Sequence, residues 1–159
     1  MKKIFFYFLL CCPINFVNAL EVACNFEEVY ANGDMQQGFF LYDNSKLRYQ
    51  YYDDSLYTII STDNNFYLVN NFSKNVSRIN ESSHFLEKFI YIASRFPDIE
   101  NHYNLNNSKI IIEKSSKNFI KRISIQSSNL NVSINFINCI FKKFPKKLFN
   151  HFNFEEFTY

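Results

Sequence analysis

Tryptophan is absent from this 159-residue chain, and glycine occurs only twice, at Gly33 and Gly38. Two glycines leave no phosphate-cradling glycine loop and no G-x-S-x-G turn for a serine nucleophile. Histidine is nearly as scarce: His84, His102 and His151 lie far apart, without metal-ligand spacing. The acidic pairs Asp53-Asp54 and Glu155-Glu156 are sequence neighbours, which point to opposite faces in a strand and are usually solvated in a turn. No catalytic residue, metal site or cofactor is assigned, and the chain is read as a non-enzyme. A dense basic stripe with interleaved aromatics is missing as well, which argues against a nucleic-acid partner.

Long apolar runs are also lacking. The greasiest segment, Ile4–Cys12, falls short of the ~20 residues that a membrane anchor needs. Lys2 and Lys3 precede it and Val17-Asn18-Ala19 follows, the charge–apolar–small order of a secretory signal. Residues 1–19 are therefore expected to be cleaved, leaving residues 20–159 as a single exported domain. Glu21 stands where a lipobox before Cys24 would need an aliphatic side chain, against lipidation. Cleavage removes Cys11 and Cys12. The remaining pair, Cys24 and Cys139, is expected to form one disulfide in an oxidising compartment, with two buried reduced thiols as the alternative.

Charge is unevenly spread. Residues 20–108 carry six Lys/Arg against twelve Asp/Glu, and residues 109–159 carry nine against three. Such asymmetry can steer an encounter with a charged partner. Lys142, Lys143, Lys146 and Lys147 form a basic cluster, read either as a solvated loop or as a contact for a partner or anionic membrane surface.

What the chain does have is a ladder of short aromatic strands. CNFEEVY, MQQGFFLY, KLRYQYY, LYTIIS, FYLVNN and VSRIN are separated by Asn/Asp/Gly/Ser breaks, the pattern of an antiparallel meander. Leu47, Tyr49 and Tyr51 share one face; Lys46, Arg48 and Gln50 share the other, which is expected to be wet, with Arg48 paired to a neighbouring carboxylate or a partner. Ile123 and Ile125 alternate with polar residues, as do Leu130, Val132, Ile134 and Phe136. Unbroken alternation would put Cys139 on the polar face, so either a bulge near Phe136-Ile137 shifts the phase or the disulfide lies outside. Residues 83–97 instead show helical spacing, with Ser83 as N-cap and Pro97 as the stop. Asp98–Ser108 reads as a polar loop, Lys109–Lys114 as a strand, and Phe119–Ser127 with Leu130–Phe141 as a hairpin. Phe144–Tyr159 reads as a basic loop followed by a last strand. The fold class is mainly β with one or two helices (α+β): a one-sided antiparallel sheet covered in part by a helix, which the resemblance described next extends to a half-barrel.

The order of these segments resembles the LolA-like family, the periplasmic carriers of outer-membrane lipoproteins. Phe26-Glu27-Glu28 looks like that family's first-strand F-x-Q/E, Gly38-Phe39-Phe40-Leu41 like its G-x-F-x-L, and Lys46-Leu47-Arg48-Tyr49-Gln50-Tyr51 like its K-hydrophobic-R-W-x-Y. Ile59-Ile60-Ser61 with Asn65-Phe66-Tyr67-Leu68-Val69, Ile123-Ser124-Ile125 and Phe152-Asn153-Phe154 follow in the family's order. The resemblance implies an incomplete antiparallel barrel with an apolar cavity for acyl chains of lipoproteins or lipids. It also implies a periplasmic location in a Gram-negative bacterium, a monomeric carrier, and as partners an inner-membrane transporter and an outer-membrane receptor. The cavity candidates are Leu47, Tyr49, Tyr51, Ile60, Phe66, Leu68, Ile123, Ile125, Val132 and Ile134, and the lid candidates are Leu86, Phe89, Ile90 and Ala93. Taken one by one, the same residues read first as an ordinary core under the helix, and the cavity rests on the resemblance. Two features depart from the family: no amphipathic helix precedes the first strand, and Asp43-Asn44 stands where the family carries a lid-locking Arg-Pro. The alternative function is a non-enzymatic interaction or envelope-stress sensing module on the same fold.

Overall fold

The computed structural model describes residues 21–43, 46–62, 65–79, 88, 91, 92, 95, 98–115 and 119–150. The expected signal sequence, the terminal strand around Phe152 and the lid candidates Leu86, Phe89, Ile90 and Ala93 lie outside these residues.

Ten strands form one open antiparallel sheet: β1 (Glu21–Tyr30), β2 (Met35–Asp43), β3 (Lys46–Tyr51), β4 (Tyr57–Thr62), β5 (Asn65–Asn70), β6 (Val76–Arg78), β7 (His102–Leu105), β8 (Ser108–Lys114), β9 (Ile120–Gln126) and β10 (Asn131–Phe141). The spatial order is β6-β5-β4-β3-β2-β1-β10-β9-β8-β7. Two local meanders are thus joined along a single seam, β1 against β10. The strand positions follow the aromatic ladder closely, and the open sheet fits a half-barrel. Of the expected helix, Lys88, Tyr91 and Ile92 have helical backbone, and Ile92 is buried in the main core. A helix spanning the open side is not part of what the described residues establish.

One expected loop is a strand. Within Asp98–Ser108, β7 pairs with β8 through a two-residue turn at Asn106-Asn107, whose φ values are 46° and 59°. Both lie in the left-handed region that a type I′ hairpin requires and that asparagine tolerates better than most residues. Tyr103 points inward, its ring edge-on to Tyr91 with centroids 5.4 Å apart.

The phase problem at Cys139 is solved by a bulge, placed slightly later than expected. Ala23 pairs with Ile140 and Asn25 with Ile137, so Asn138 and Cys139 together oppose Cys24. Asn138 takes φ 52° to absorb the extra residue. Cys139 thereby turns to the concave side, where its sulfur is at disulfide distance from buried Cys24, with Cα atoms 4.1 Å apart.

The concave face holds the main core. Inward residues of both wings, among them Phe26, Phe40, Tyr49, Ile59, Ile110, Ile123, Ile134 and Phe136, form one cluster. Phe40 bridges the seam, edge-on to Phe136 with centroids 5.2 Å apart.

The convex face is not uniformly wet. A 3₁₀ helix at Lys146–Phe149 follows Phe144, and Phe144, Leu148 and Phe149 pack on Ala23, Phe39 and Leu41 as a second core. Arg48, expected in water, is fully buried on this side. Its Nη1 donates to the Leu148 carbonyl at 2.9 Å, and its Nε and Nη2 donate to Gln50 Oε1 at 2.9 and 2.6 Å. The guanidinium also sits 5.7 Å from the Phe39 ring centroid. The basic tail is therefore an amphipathic strap: its apolar residues are buried, while Lys142, Lys143, Lys146 and Lys147 stay exposed. The cross-strand ion pair foreseen for Arg48 occurs elsewhere, between Arg122 of β9 and Glu113 of β8.

Candidate ligand-binding cavity

Alternation along β1 sends Cys24, Phe26, Glu28 and Tyr30 to the concave side. Glu28 is thus a carboxylate at a core position, and its exposure is 0%. Burying such a group is costly unless its oxygens are satisfied. Three phenols meet it. Tyr49 donates to Oε1 at 2.6 Å, Tyr30 donates to Oε2 at 2.7 Å, and Tyr51 reaches both oxygens at 2.9 and 3.0 Å.

Geometry on β2 makes this possible. Tyr49 and Tyr51 belong to β3, and the intervening strand carries Gly38 opposite both Phe26 and Tyr51. A Cβ on Gly38 would lie 2.0 Å from the Gln50 carbonyl and 2.4 Å from the Phe26 ring. With no side chain there, Phe26 and the tyrosines of β3 meet directly across β2. Burial raises the pKa of all three phenols, and Glu28 raises them further, through its hydrogen bond at Tyr30 and chiefly through its charge at Tyr49 and Tyr51. They remain protonated donors well above neutral pH.

Next to this cluster lies a cavity of about 780 Å³, within the range of small-molecule sites. Tyr30 and Tyr51 form part of its wall. Leu56, Ile59, Leu68 and Leu130 supply aliphatic surface, Tyr57 more aromatic surface, and Ala31, Asn32, Asp34, Gln36, Asn129 and Asn131 the rim. The β3–β4 turn that carries Leu56 is held by Asn71, whose amide donates to the carbonyls of Tyr51 and Asp53 at 3.2 Å and accepts from Thr58 at 2.6 Å.

The residues foreseen for the cavity are divided. Tyr51 and Leu68 line it. Leu47, Tyr49, Ile123, Ile125, Val132 and Ile134 are packed in the closed core. Phe66 pairs with Ser61 on the concave side and is half-buried. Ile60 is buried but pairs with Arg48, on the convex side, and its neighbour Ile59 is the one that faces the cavity. Sequence reasoning missed Glu28, Tyr30, Leu56, Tyr57 and Leu130. The signal for Glu28 was present: it continues the inward alternation of Cys24 and Phe26, where a lone carboxylate has to find donors. Among the described residues no group of three or more His, Cys, Asp or Glu is placed to hold a metal ion.

Compared with known proteins, the chain matches no family model and no curated protein.

Proposed function

We propose that this protein is a non-enzymatic carrier that shields an aliphatic chain, such as the acyl chain of a lipid or lipoprotein, in the cavity between β1, β3, β4 and β5. The carrying observation is the cavity itself, concave, roughly 780 Å³, and walled by Leu56, Ile59, Leu68 and Leu130. Each methylene moved from water into such a site is worth ~0.8 kcal/mol, so a ten-carbon chain supplies about 8 kcal/mol before the cost of association. No polar recognition is needed for that gain. The order of strand motifs resembling LolA-like carriers supports the same reading, and so does the export signal read at residues 1–19. On this reading Lys88, Tyr91 and Ile92, which have helical backbone, belong to a lid, and the exposed lysines 142, 143, 146 and 147 meet an anionic membrane surface or an acidic docking partner.

Native mass spectrometry of the protein purified from a periplasm tests the proposal. A mass excess removed by organic extraction is the expected result. A bare chain that also fails to bind a fluorescent probe with an uncharged acyl chain would sink it.

One observation favours a second reading, an interaction module. Six of the ten residues foreseen as cavity lining are packed side chain against side chain, so much of the concave face is already filled. A stable protein partner recovered by crosslinking, with no lipid, is the outcome that reading expects.

A further inference from the structure

Where Tyr30, Tyr51 and Asp34 line it, the cavity presents acceptors; the Tyr57 hydroxyl elsewhere on the wall can donate as well as accept. A phenol has one proton: those of Tyr30 and Tyr49 are directed at Glu28, and that of Tyr51 lies within reach of both Glu28 oxygens and of the Tyr30 oxygen. A carboxylate only accepts, with about four lone-pair sites, and the three phenol protons can fill at most three of them. What Tyr30 and Tyr51 have left for the cavity is oxygen lone pairs, with the negative charge of Glu28 directly behind. Asp34 is the one charged side chain among the described residues of the wall. Its neighbour Asn32 does not offset it: the Asn32 amide already donates to Asp34 Oδ2 at 2.6 Å, and its Oδ1 accepts from the Asp34 backbone N–H at 3.1 Å. Gln36, Asn129 and Asn131 carry amides that donate and accept alike, so they do not discriminate between head groups.

Resting on the carrier reading, we propose that the cavity selects the head group of its ligand, taking an aliphatic chain that ends in a protonated amine and rejecting one that ends in a carboxylate or phosphate. An ammonium brings three donors and a positive charge to a surface of acceptors and acidic groups. An anionic head would meet like charges, which costs affinity and slows encounter. The aliphatic wall binds the chain, and the Tyr30–Tyr51–Asp34 end chooses among heads.

The test is isothermal titration calorimetry of the full mature chain, near neutral pH and at low salt, with dodecylammonium, dodecanol and dodecanoate, each below its micelle concentration. The expected order is ammonium, then alcohol, then carboxylate, with at least about tenfold between the first and last, and a gap that narrows as salt is added. Asp34→Asn, an exposed and isosteric change, is expected to narrow the gap between dodecylammonium and dodecanoate. Equal affinity for the three, or a preference for dodecanoate, overturns the head-group selection and leaves the carrier reading standing. Binding of none of them overturns the carrier reading, and this inference with it.

Discussion

Phe26 lies flat on Tyr49, ring centroids 3.9 Å apart and planes 15° from parallel, although the two residues belong to strands that are not neighbours. The strand between them contributes Gly38 at that point, and the aromatic pair closes over its missing side chain. Gly38→Ala is therefore expected to destabilise the protein by ~3 kcal/mol or more, since the new methyl would meet both a carbonyl and a ring. Gly33→Ala is the control. Gly33 has open space around it but φ +88°, so alanine there should cost only about 1–2 kcal/mol. Urea midpoints measured for both variants check the ranking. Equal losses would mean that the Phe26–Tyr49 stack does not depend on the gap.

Tyrosine ionisation sets the alkaline limit of the fold. The phenols of Tyr30, Tyr49 and Tyr51 have folded pKa values raised above the ordinary 10.0 by burial and by Glu28. Their contribution to stability is complete below pH 10 and is lost as pH climbs above it, because the unfolded chain releases those protons first. Tyrosinate absorbance and circular dichroism followed together from neutral to alkaline pH should show these three phenols ionising only as the sheet melts. Tyr49→Phe should weaken the fold at neutral pH by about 1–3 kcal/mol and make its alkaline loss shallower. Titration of every tyrosine near pH 10 with the sheet intact would contradict the assignment.

Arg48 anchors the C-terminal strap through the Leu148 carbonyl. Burial lowers its pKa to about 10, so it remains charged at neutral pH. Arg48→Lys keeps the charge but loses the planar fork that serves Leu148 and Gln50 together. A loss of about 2–3 kcal/mol is expected, along with faster amide exchange in residues 142–150. Exchange unchanged in that segment would show that Phe144, Leu148 and Phe149 hold the strap alone.

Replacing Cys24 and Cys139 together with serine opens a closure between residues 115 apart in sequence. The chain-entropy treatment puts the loss at up to ~4–5 kcal/mol. Thermal unfolding of the double variant reads it, and the intact mass of the parent, two hydrogens below the reduced value, confirms the bond. An unchanged midpoint would show that the β1–β10 pairing needs no covalent support.

Much of the sheet was legible because Asn/Asp/Gly breaks and period-two alternation are local signals. Strands β1 to β6 and β8 to β10 fall where those signals put them. β7 was missed because His102-Tyr103-Asn104-Leu105 is short and embedded in asparagines; the Asn106-Asn107 turn was the clue. Arg48 was misplaced for a different reason. Its strand alternates as a half-wet strand should, but the cover that buries it arrives from a hundred residues away, and alternation carries no information about what packs on a face. The cavity was half legible. Tyr51 and Leu68 were found as apolar positions on an inward face, whereas the packing that closes over Leu47 or Ile134 depends on how the two wings curve together. Glu28 sits inside the strand motif Phe26-Glu27-Glu28, and a strand motif carries no information about which donors, on a strand two away, will meet a buried carboxylate.

The placement of β1 has a kinetic consequence. Every other strand pair in the sheet joins sequence neighbours, so each meander can assemble from hairpins that close in microseconds. The β1–β10 seam alone unites segments from opposite ends of the domain, and its closure entropy has to be met before the Phe26–Phe136 register yields any return. Folding is thereby divided into two fast local events and one slow docking. Substitutions at Phe136 or Ile134 should slow folding more than equally destabilising ones within β4 or β5, and the oxidised chain, with its ends already tethered, should fold faster than the reduced one.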